Sequence, residues 1–390
     1  MSRIALITYH RAHNSGSFLQ AYAMQRVIGR LGHRCDVIDF STPRQQYLYA
    51  LYKPVHAPKD LVKNVYTWCN RATFRPRHDE FERLIAAELR LTRDRYEDPS
   101  ALAGLDADYD AFVSGGDQIW NMDAWDYSDA YFLDFVHGRP KIAYAASMGG
   151  HISDKQADPA LAERYRTLTA GYRAIGVRED DAREYLAPLA DVPVERVLDP
   201  TMLLDVADYE RLRAPRIPDG PYLFYYAIDS IGAAPAQALA VRRYARRVGL
   251  PVYAMVTGNR SLWLKRLGFR LVPRSGPREF LSLISRAERV VTSSFHGTVF
   301  SIMYGRPFRV PCPLRADGSP DVDGRMGTLL DVCGLEGRLM PVRSDGRHAE
   351  AWDADMPDMS IDYAPAYERL ELERARSLRF LRDALDGGMG

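Results

Sequence analysis

Hydrophobic and polar residues follow one another along this chain as short apolar runs separated by amphipathic stretches. An apolar run at 4–8 leads into a polar, glycine-containing loop. Residues 18–31 then repeat apolar side chains at helical spacing, before a second apolar run at 35–40. Short apolar runs predict buried strands, and the 3.6-residue repeat predicts a helix. The opening of the chain therefore predicts a βαβ unit of a doubly wound sheet, with its first loop at the ligand-binding edge.

The same alternation continues through the rest of the chain. Strands are predicted at 109–114, 141–147, 174–177, 194–198, 222–227, 251–256, 269–272 and 289–292, and helices at 154–171, 233–248, 277–286 and 365–386. The last helix carries its apolar residues on one side, and we expect it to pack back across a domain boundary. Alternating strands and helices are typical of parallel sheets.

With 390 residues the chain has the length of two ordinary domains. We expect an α/β fold of two Rossmann-like domains facing across a cleft, which is a GT-B-like architecture. The first domain is predicted at 1–205 and the second at 206–345. Residues 346–390 are predicted to form a tail and a helix that packs across both domains.

A basic, aromatic segment at 44–77 interrupts the first domain. It holds seven basic residues and one acid, Asp60, with six Tyr, Trp and Phe residues interleaved. Such a segment can lie at a membrane surface or over a sugar acceptor. It is equally typical of a helical insertion with a solvated basic face, and the sequence leaves both interpretations open.

The composition excludes several classes of protein. A net charge of +1 indicates no general affinity for nucleic acid. The four cysteines form no CxxC pair, so we expect neither a metal site nor a disulfide scaffold. No stretch matches a signal peptide or the roughly 18 apolar residues of a membrane span. The expected location is the cytoplasm, and the membrane interpretation of 44–77 would add peripheral contact at the inner face of the membrane.

The segment around His296 carries the strongest chemical signal. Two hydroxyl residues, Ser293 and Ser294, follow an apolar strand and precede Phe295, His296 and Gly297, where a helix is predicted to begin. A helix N-terminus attracts anions, and an imidazole beside an anion can donate a proton near neutral pH. This pattern predicts binding of a small phosphorylated anion, although a lone histidine is more often structural.

Three further polar clusters follow predicted strands. Asn14, Gly16, Ser17 and Gln20 come after the first strand, and Gly115-Gly116-Asp117-Gln118 and Arg178-Glu179-Asp180 come after later ones. Asp117 either holds a sugar hydroxyl or caps a helix beginning at Ile119. Arg178 either grips a carboxylate or phosphate in the cleft or forms a structural ion pair with a neighbouring acid.

Arg325 is a candidate second cation in a loop before Leu329. The acid pair Asp321 and Asp323 beside it is weak evidence for a metal–nucleotide site. Cys312, between two prolines, is expected in a packed turn rather than as a nucleophile.

Together these motifs resemble the polysaccharide pyruvyl transferase family. The matching elements, in chain order, are Asn14-Ser-Gly-Ser-Phe-Leu-Gln, Ser114-Gly-Gly-Asp-Gln-Ile-Trp-Asn, Ile142-Ala-Tyr-Ala-Ala-Ser-Met-Gly, Val177-Arg-Glu, Asp199-Pro-Thr and Thr292-Ser-Ser-Phe-His-Gly. The resemblance covers about 1–40 and 108–340. The family's usual Gly-Ser-Asp-Gln is Gly115-Gly116-Asp117-Gln118 here, and 44–77 matches no motif of the family.

The resemblance implies transfer of the pyruvyl group of phosphoenolpyruvate to two sugar hydroxyls, which forms a cyclic ketal and releases phosphate. The acceptor would be a bacterial cell-surface glycan, such as an exopolysaccharide or cell-wall polymer, or its lipid-linked precursor. No cofactor or metal is implied. The resemblance assigns catalysis to His296, Asp117 and Arg178, and donor binding to Arg178, Arg325 and residues 293–297. It assigns acceptor contacts to Asn14, Gly16, Ser17, Gln20, Gly116, Asp117, Gln118, Trp120 and Ser147.

Two other functions remain open at this point. One is a glycosyltransferase that uses a nucleotide sugar on the same scaffold, since a fold does not determine its chemistry. The other is a non-enzymatic binding or scaffold subunit. The sequence leaves the acceptor sugar and the oligomeric state undetermined.

Overall fold

The computed structural model describes residues 1–150, 152, 158–215, 218–227, 234–257, 259–272, 274–342 and 360–387. Its first sheet has seven parallel strands in the order β3-β2-β1-β4-β5-β6-β7. These are β1 Arg3–Ile7, β2 Arg34–Phe40, β3 Leu91–Tyr96, β4 Ala111–Gly115, β5 Lys141–Ala146, β6 Tyr172–Val177 and β7 Val194–Arg196. The strand order reverses between β1 and β4, where such sheets bind ligands at their carboxyl edge.

The second sheet repeats this plan with six parallel strands in the order β10-β9-β8-β11-β12-β13. They are β8 Leu223–Tyr226, β9 Val252–Met255, β10 Arg270–Val272, β11 Arg289–Thr292, β12 Phe308–Pro313 and β13 Leu339–Val342. The reversal lies between β8 and β11. The predicted α/β fold of two Rossmann-like domains facing across a cleft is confirmed.

Twelve α-helices are assigned in the described part of the chain. They are α1 Ser15–Arg30, α2 Pro43–Tyr49, α3 Pro58–Cys69, α4 Arg71–Glu88, α5 Pro159–Thr169, α6 Asp180–Leu186, α7 Val206–Glu210, α8 Ala234–Arg247, α9 Pro277–Arg286, α10 Phe295–Met303, α11 Gly324–Cys333 and α12 Ala364–Asp386. Helices α2, α3 and α4 form the insertion between β2 and β3. No described helix is long and apolar enough to cross a bilayer.

Helix α12 contacts both halves of the molecule. Its Tyr367 hydroxyl donates to the carbonyl of Ile302, 3.0 Å away in the second half. Its Ser377 hydroxyl oxygen accepts from the amide of Leu198, 3.0 Å away in the first half. The two halves also share one continuous apolar core, in which the rings of Tyr22 and Tyr209 lie 6.1 Å apart. Residues 346–359 of the predicted tail lie outside the described residues.

Three strands differ from the sequence predictions. The strand β3 was not predicted because it is an edge strand whose side chains are mostly exposed and charged. The strands β12 and β13 were also missed. Cys312 lies in β12 and not in a turn, because Pro311 and Pro313 are accommodated within the strand. Burial raises the pKa of the Cys312 thiol to about 11, which fits a packing role.

Candidate active site

His296 lies where β11 ends and α10 begins, as predicted from the sequence. The hydroxyl oxygen of Ser294 caps α10 by accepting from the amide of Gly297 at 3.3 Å. The amides of Phe295 and His296 find no hydrogen-bond partner in the described part of the chain, as is usual for the first turn of a helix. The first turn of α10 therefore offers N–H groups and a buried imidazole to a ligand.

Arg178 follows β6 at the carboxyl edge of the first sheet and reaches the second half. Its guanidinium carbon lies 4.5 Å from the centre of the Phe295 ring, so the cation rests on the aromatic face. Its Nη1 donates to Asp199 Oδ2 at 2.8 Å. Arg178 and His296, which come from different sheets, thus meet at one place between them.

Asp199, for which no role was predicted, joins these two residues. Its Oδ2 lies 2.8 Å from Arg178 Nη1 and 3.5 Å from His296 Nε2, and its Oδ1 accepts from both the amide and the hydroxyl of Thr201. Burial alone would raise the pKa of Asp199, but His296, Arg178 and Thr201 together hold it well below its usual range. Asp199 is therefore a buried, ionised anchor for both side chains. The Asp199-Pro-Thr motif was its one signal in the sequence.

Asp117 faces the same site from the end of β4. It accepts from the hydroxyl of Ser17 at 2.5 Å and from the amide of Gln118 at 2.8 Å, and it lies 4.0 Å from Arg178 Nη2. The alternative role as a helix cap is wrong, because the chain after Asp117 forms turns rather than a helix. Asp117 is thus available as a carboxylate at the cavity wall.

A cavity of about 430 Å³ lies between the two sheets at this point. Seven of the predicted donor and acceptor residues line it in addition to Arg178 and His296: Asn14, Ser17, Asp117, Gln118, Ser293, Ser294 and Phe295. Arg325 also lines it, but from the first turn of α11 and not from a loop. Asp323 caps this helix and binds the Arg325 guanidinium, with an Nε–Oδ1 distance of 2.7 Å. Gln118 lies against the other side of that guanidinium.

Three residues predicted to contact the acceptor are buried behind the cavity instead. Trp120 stacks on Phe132 in the core, because its large ring belongs to the apolar layer under the sheet. Gln20 donates to the Thr8 hydroxyl and to the Ser17 carbonyl. Ser147 donates to Glu179. These three residues do not line the cavity and support its wall from behind.

The predicted glycines act through close packing rather than through ligand contact. A side chain on Gly16 would overlap the imidazole ring of His296, so this glycine lets the first turn of α1 lie against the histidine. Gly116 has a φ of +94° and packs against Gln20, and Gly297 packs against Thr292. These glycines shape the backbone around the catalytic candidates.

Arg178 forms the predicted structural ion pair with Glu179, at 3.7 Å, as well as pairing with Asp199 and Asp117, yet several buried nitrogens of the cavity make no hydrogen bond. His296 Nε2 and the Nε and Nη2 of Arg178 make no hydrogen bond to any group in the described residues. Unpaired buried donors are costly, so in native proteins they usually meet a ligand or water. An arginine and a histidine with unused nitrogens in one cavity fit a site for a small anion.

Burial raises the pKa of Glu179 to about 7, against smaller lowering effects of Arg178 and Ser147. Because the folded state holds this proton more tightly than the unfolded one, the stabilisation is complete below the ordinary pKa of 4.5 and disappears as the pH rises through 7. We expect Glu179→Gln to abolish this loss. Between pH 5 and pH 8, the unfolding free energy of the wild type should therefore fall by on the order of 2 kcal/mol more than that of the variant.

Urea unfolding at both pH values measures this difference. Glu184→Gln, an exposed neighbour on α6, is the matched control and should leave the pH dependence unchanged. Identical pH dependence in wild type and Glu179→Gln would contradict the assignment of the titration to Glu179.

One group of possible metal ligands is brought together although none was predicted. His13, His78 and Glu82 have ligand atoms within 4.8 Å of one another. Glu82 already accepts from His13 Nε2 at 2.8 Å and from Arg11 Nη1 at 3.3 Å, and Arg77 donates to the carbonyl of His13. The two arginines supply the positive charge that a metal ion would bring, so we interpret the group as an ion-pair network.

A second cavity, of about 670 Å³, adjoins the first. Asn14 lines both cavities. The other walls of the second cavity include aromatic and basic side chains of the insertion and the second sheet: Tyr47, Tyr49, Lys53, Lys63, Phe74, Arg77 and Tyr226. The insertion therefore builds a second binding space beside the candidate active site.

A family model for polysaccharide pyruvyl transferases matches residues 14–310, about three quarters of the chain. The chain belongs to this family. The matched region contains Asp117, Arg178, Asp199 and His296, while Arg325 lies beyond its end. Membership makes the protein a transferase of polysaccharide biosynthesis. No curated protein matches the chain in sequence.

Solved structures of nucleotide-sugar enzymes share the fold of this family member. UDP-GlcNAc 2-epimerase from Neisseria meningitidis, bound to UDP-GlcNAc, has 13% identity and a TM-score of 0.54, with 99% of each chain covered. A putative UDP-N-acetylglucosamine 2-epimerase from Listeria monocytogenes has 12% identity and a TM-score of 0.57, covering 99% of this chain and 96% of that one. The Anabaena protein HepE, in complex with UDP and glucose, has 8% identity and a TM-score of 0.56, covering 99% and 100%. At these identities the likeness is one of fold alone.

Proposed function

We propose that the protein transfers the pyruvyl group of phosphoenolpyruvate to two hydroxyls of a sugar and releases phosphate. The observation that carries the proposal is the pair of buried side chains Arg178 and His296, which face one cavity from the two sheets and keep nitrogens that make no hydrogen bond. Phosphoenolpyruvate carries a phosphate and a carboxylate. A guanidinium fork and a helix N-terminus bind such groups well.

His296 is the proposed proton donor. Protonation of the methylene carbon of the donor makes the neighbouring carbon electrophilic, and a sugar hydroxyl adds there. Phosphate then leaves, and a second hydroxyl closes the ketal. One of the two hydroxyl protons returns to His296, which gave its own proton to the methylene carbon. The other leaves with phosphate. Asp199 would hold the His296 ring in place for this role, because its Oδ2 lies 3.5 Å from His296 Nε2.

Asp117 is the proposed base for the attacking hydroxyl, and Arg325 is a second cation for the donor. Asp117 faces the cavity 4.0 Å from Arg178, so a hydroxyl bound to it would lie beside a donor held by that arginine. The sugar acceptor, a cell-surface glycan or its lipid-linked precursor in the cytoplasm, would extend toward the second cavity. Aromatic walls there suit sugar rings, and Lys63 and Arg77 suit an anionic group.

Two measurements test this function. Mass spectrometry of glycans from cells with and without the gene should find the mass of a pyruvate ketal only when the gene is present. Thermal shift of the purified protein should show stabilisation by phosphoenolpyruvate. The shared fold with enzymes solved in complex with UDP or UDP-GlcNAc favours a nucleotide-sugar glycosyltransferase as the second candidate. Stabilisation by nucleotide sugars alone would overturn the proposal in favour of that enzyme.

A further inference from the structure

Helix α3 has the opposite polarity to an ordinary surface helix, because its polar side faces the protein and its apolar side faces solvent. Its polar residues Asp60, Asn64 and Thr67, spaced along one side, face the protein, where Asp60 and Thr67 are buried. Its apolar side chains face solvent, with the following exposed fractions: Leu61 57%, Val62 70%, Val65 54% and Trp68 58%. A surface helix normally places its apolar residues against the core. The outward face of α3 therefore needs a partner.

The inward polar contacts fix this orientation. Asp60 accepts from the Tyr47 hydroxyl and from the Ala57 amide, the latter at 3.0 Å. The Asn64 side chain bonds both backbone groups of Lys53, at 2.7 and 2.8 Å. A rotation of α3 that buried its apolar side would break all of these bonds. The hydrogen bonds of the insertion therefore keep the apolar face of α3 turned toward solvent.

The charges around this face are mostly positive, and the exposed acid Asp79 pairs with Arg75 at 3.5 Å at its edge. Lys59, Lys63, Arg71 and Arg75 are exposed on α3 and the start of α4, and Arg71 lies over the Trp68 ring. Asp60, the single acid of residues 44–77, is turned inward. The apolar side chains are thus surrounded by cations.

We propose that α3 lies flat on an anionic lipid bilayer, with its apolar side chains among the acyl chains and its cations at the lipid phosphates. Apolar and tryptophan side chains flanked by lysine and arginine match that interface chemically. A second copy of this chain is the less suitable occupant, since it would bring two basic surfaces together. Lys63 and Thr67 of the same helix also line the second cavity, so a bound bilayer would lie next to its opening.

Vesicle cosedimentation of the full chain tests the proposal independently of any turnover of phosphoenolpyruvate. The protein should pellet with vesicles of phosphatidylcholine and phosphatidylglycerol, and much less with phosphatidylcholine alone. Val62→Asp with Trp68→Asp, and separately Lys59→Glu with Arg71→Glu, should each lower the partition coefficient by about tenfold or more.

Matched controls lie on the exposed side of α12. Leu372→Asp and the pair Arg379→Glu with Arg382→Glu make the same chemical changes elsewhere and should leave partitioning unchanged. Failure of the wild type to pellet with anionic vesicles would overturn the proposal. So would equal losses in the control variants. Sedimentation that reveals a dimer abolished by Val62→Asp with Trp68→Asp, without vesicle binding, would assign the face to self-association instead.

Discussion

Replacing His296 with alanine is expected to lower kcat for phosphate release from phosphoenolpyruvate by about 10²–10⁴. The imidazole is the proposed donor of the proton that makes the enol carbon electrophilic. Asp199 and Arg178, which lie 2.8 Å apart, would still form their ion pair in the variant, so the donor site would persist. The loss should therefore fall mainly on kcat. Phosphate release is measured with phosphoenolpyruvate and a panel of glycan acceptors.

The exposed His137 provides the control for this experiment. His137→Ala should retain the wild-type rate, and thermal unfolding of both variants should show that they are folded. Consumption of phosphoenolpyruvate by His296→Ala at the wild-type rate would remove His296 from the mechanism.

The second large effect is expected at Arg178. Arg178→Lys keeps a positive charge for Asp199 but loses the planar fork and the Nη2 donor, which makes no hydrogen bond within the described residues. We expect binding of phosphoenolpyruvate to weaken by about 2 kcal/mol, which is about thirtyfold in Kd. Isothermal titration calorimetry measures this change directly.

Arg196→Lys is the matched control, because Arg196 lies in β7 and pairs with Glu373 at 3.2 Å outside the cavity. It should bind phosphoenolpyruvate as the wild type does. If Arg178→Lys were folded and bound the donor with unchanged affinity, the guanidinium would have no part in donor recognition.

The periodic pattern of the sequence predicts most of the fold, because buried parallel strands and amphipathic helices differ clearly in their spacing. Helix α9 and strand β11 begin and end at the predicted residues. The pattern fails where another effect outweighs hydrophobic periodicity. The edge strand β3 is polar because it is exposed, and β12 contains prolines that are typical of turns.

The candidate site was only partly predictable for a different reason. Strand ends identify Asp117, Arg178 and His296, since all three follow apolar runs. The sequence does not show how deeply a side chain is buried, so Trp120 and Ser147 were assigned to the acceptor although both are fully buried. Asp199 was overlooked because its importance comes from distances to two cations that are far away along the chain. The inverted polarity of α3 likewise depends on which side of the helix meets the protein.

The contact between Gly16 and His296 places the proposed proton donor of one half against the backbone of the other half. The ring that would deliver the proton belongs to one half, and the bare backbone against which it rests belongs to the other. Any hinge motion that parts the halves would carry the imidazole away from Asp199 and Arg178 in the same movement. In the proposed mechanism, an opened molecule would therefore lack its proton donor, so that water reaching the bound phosphoenolpyruvate would find no acid beside it.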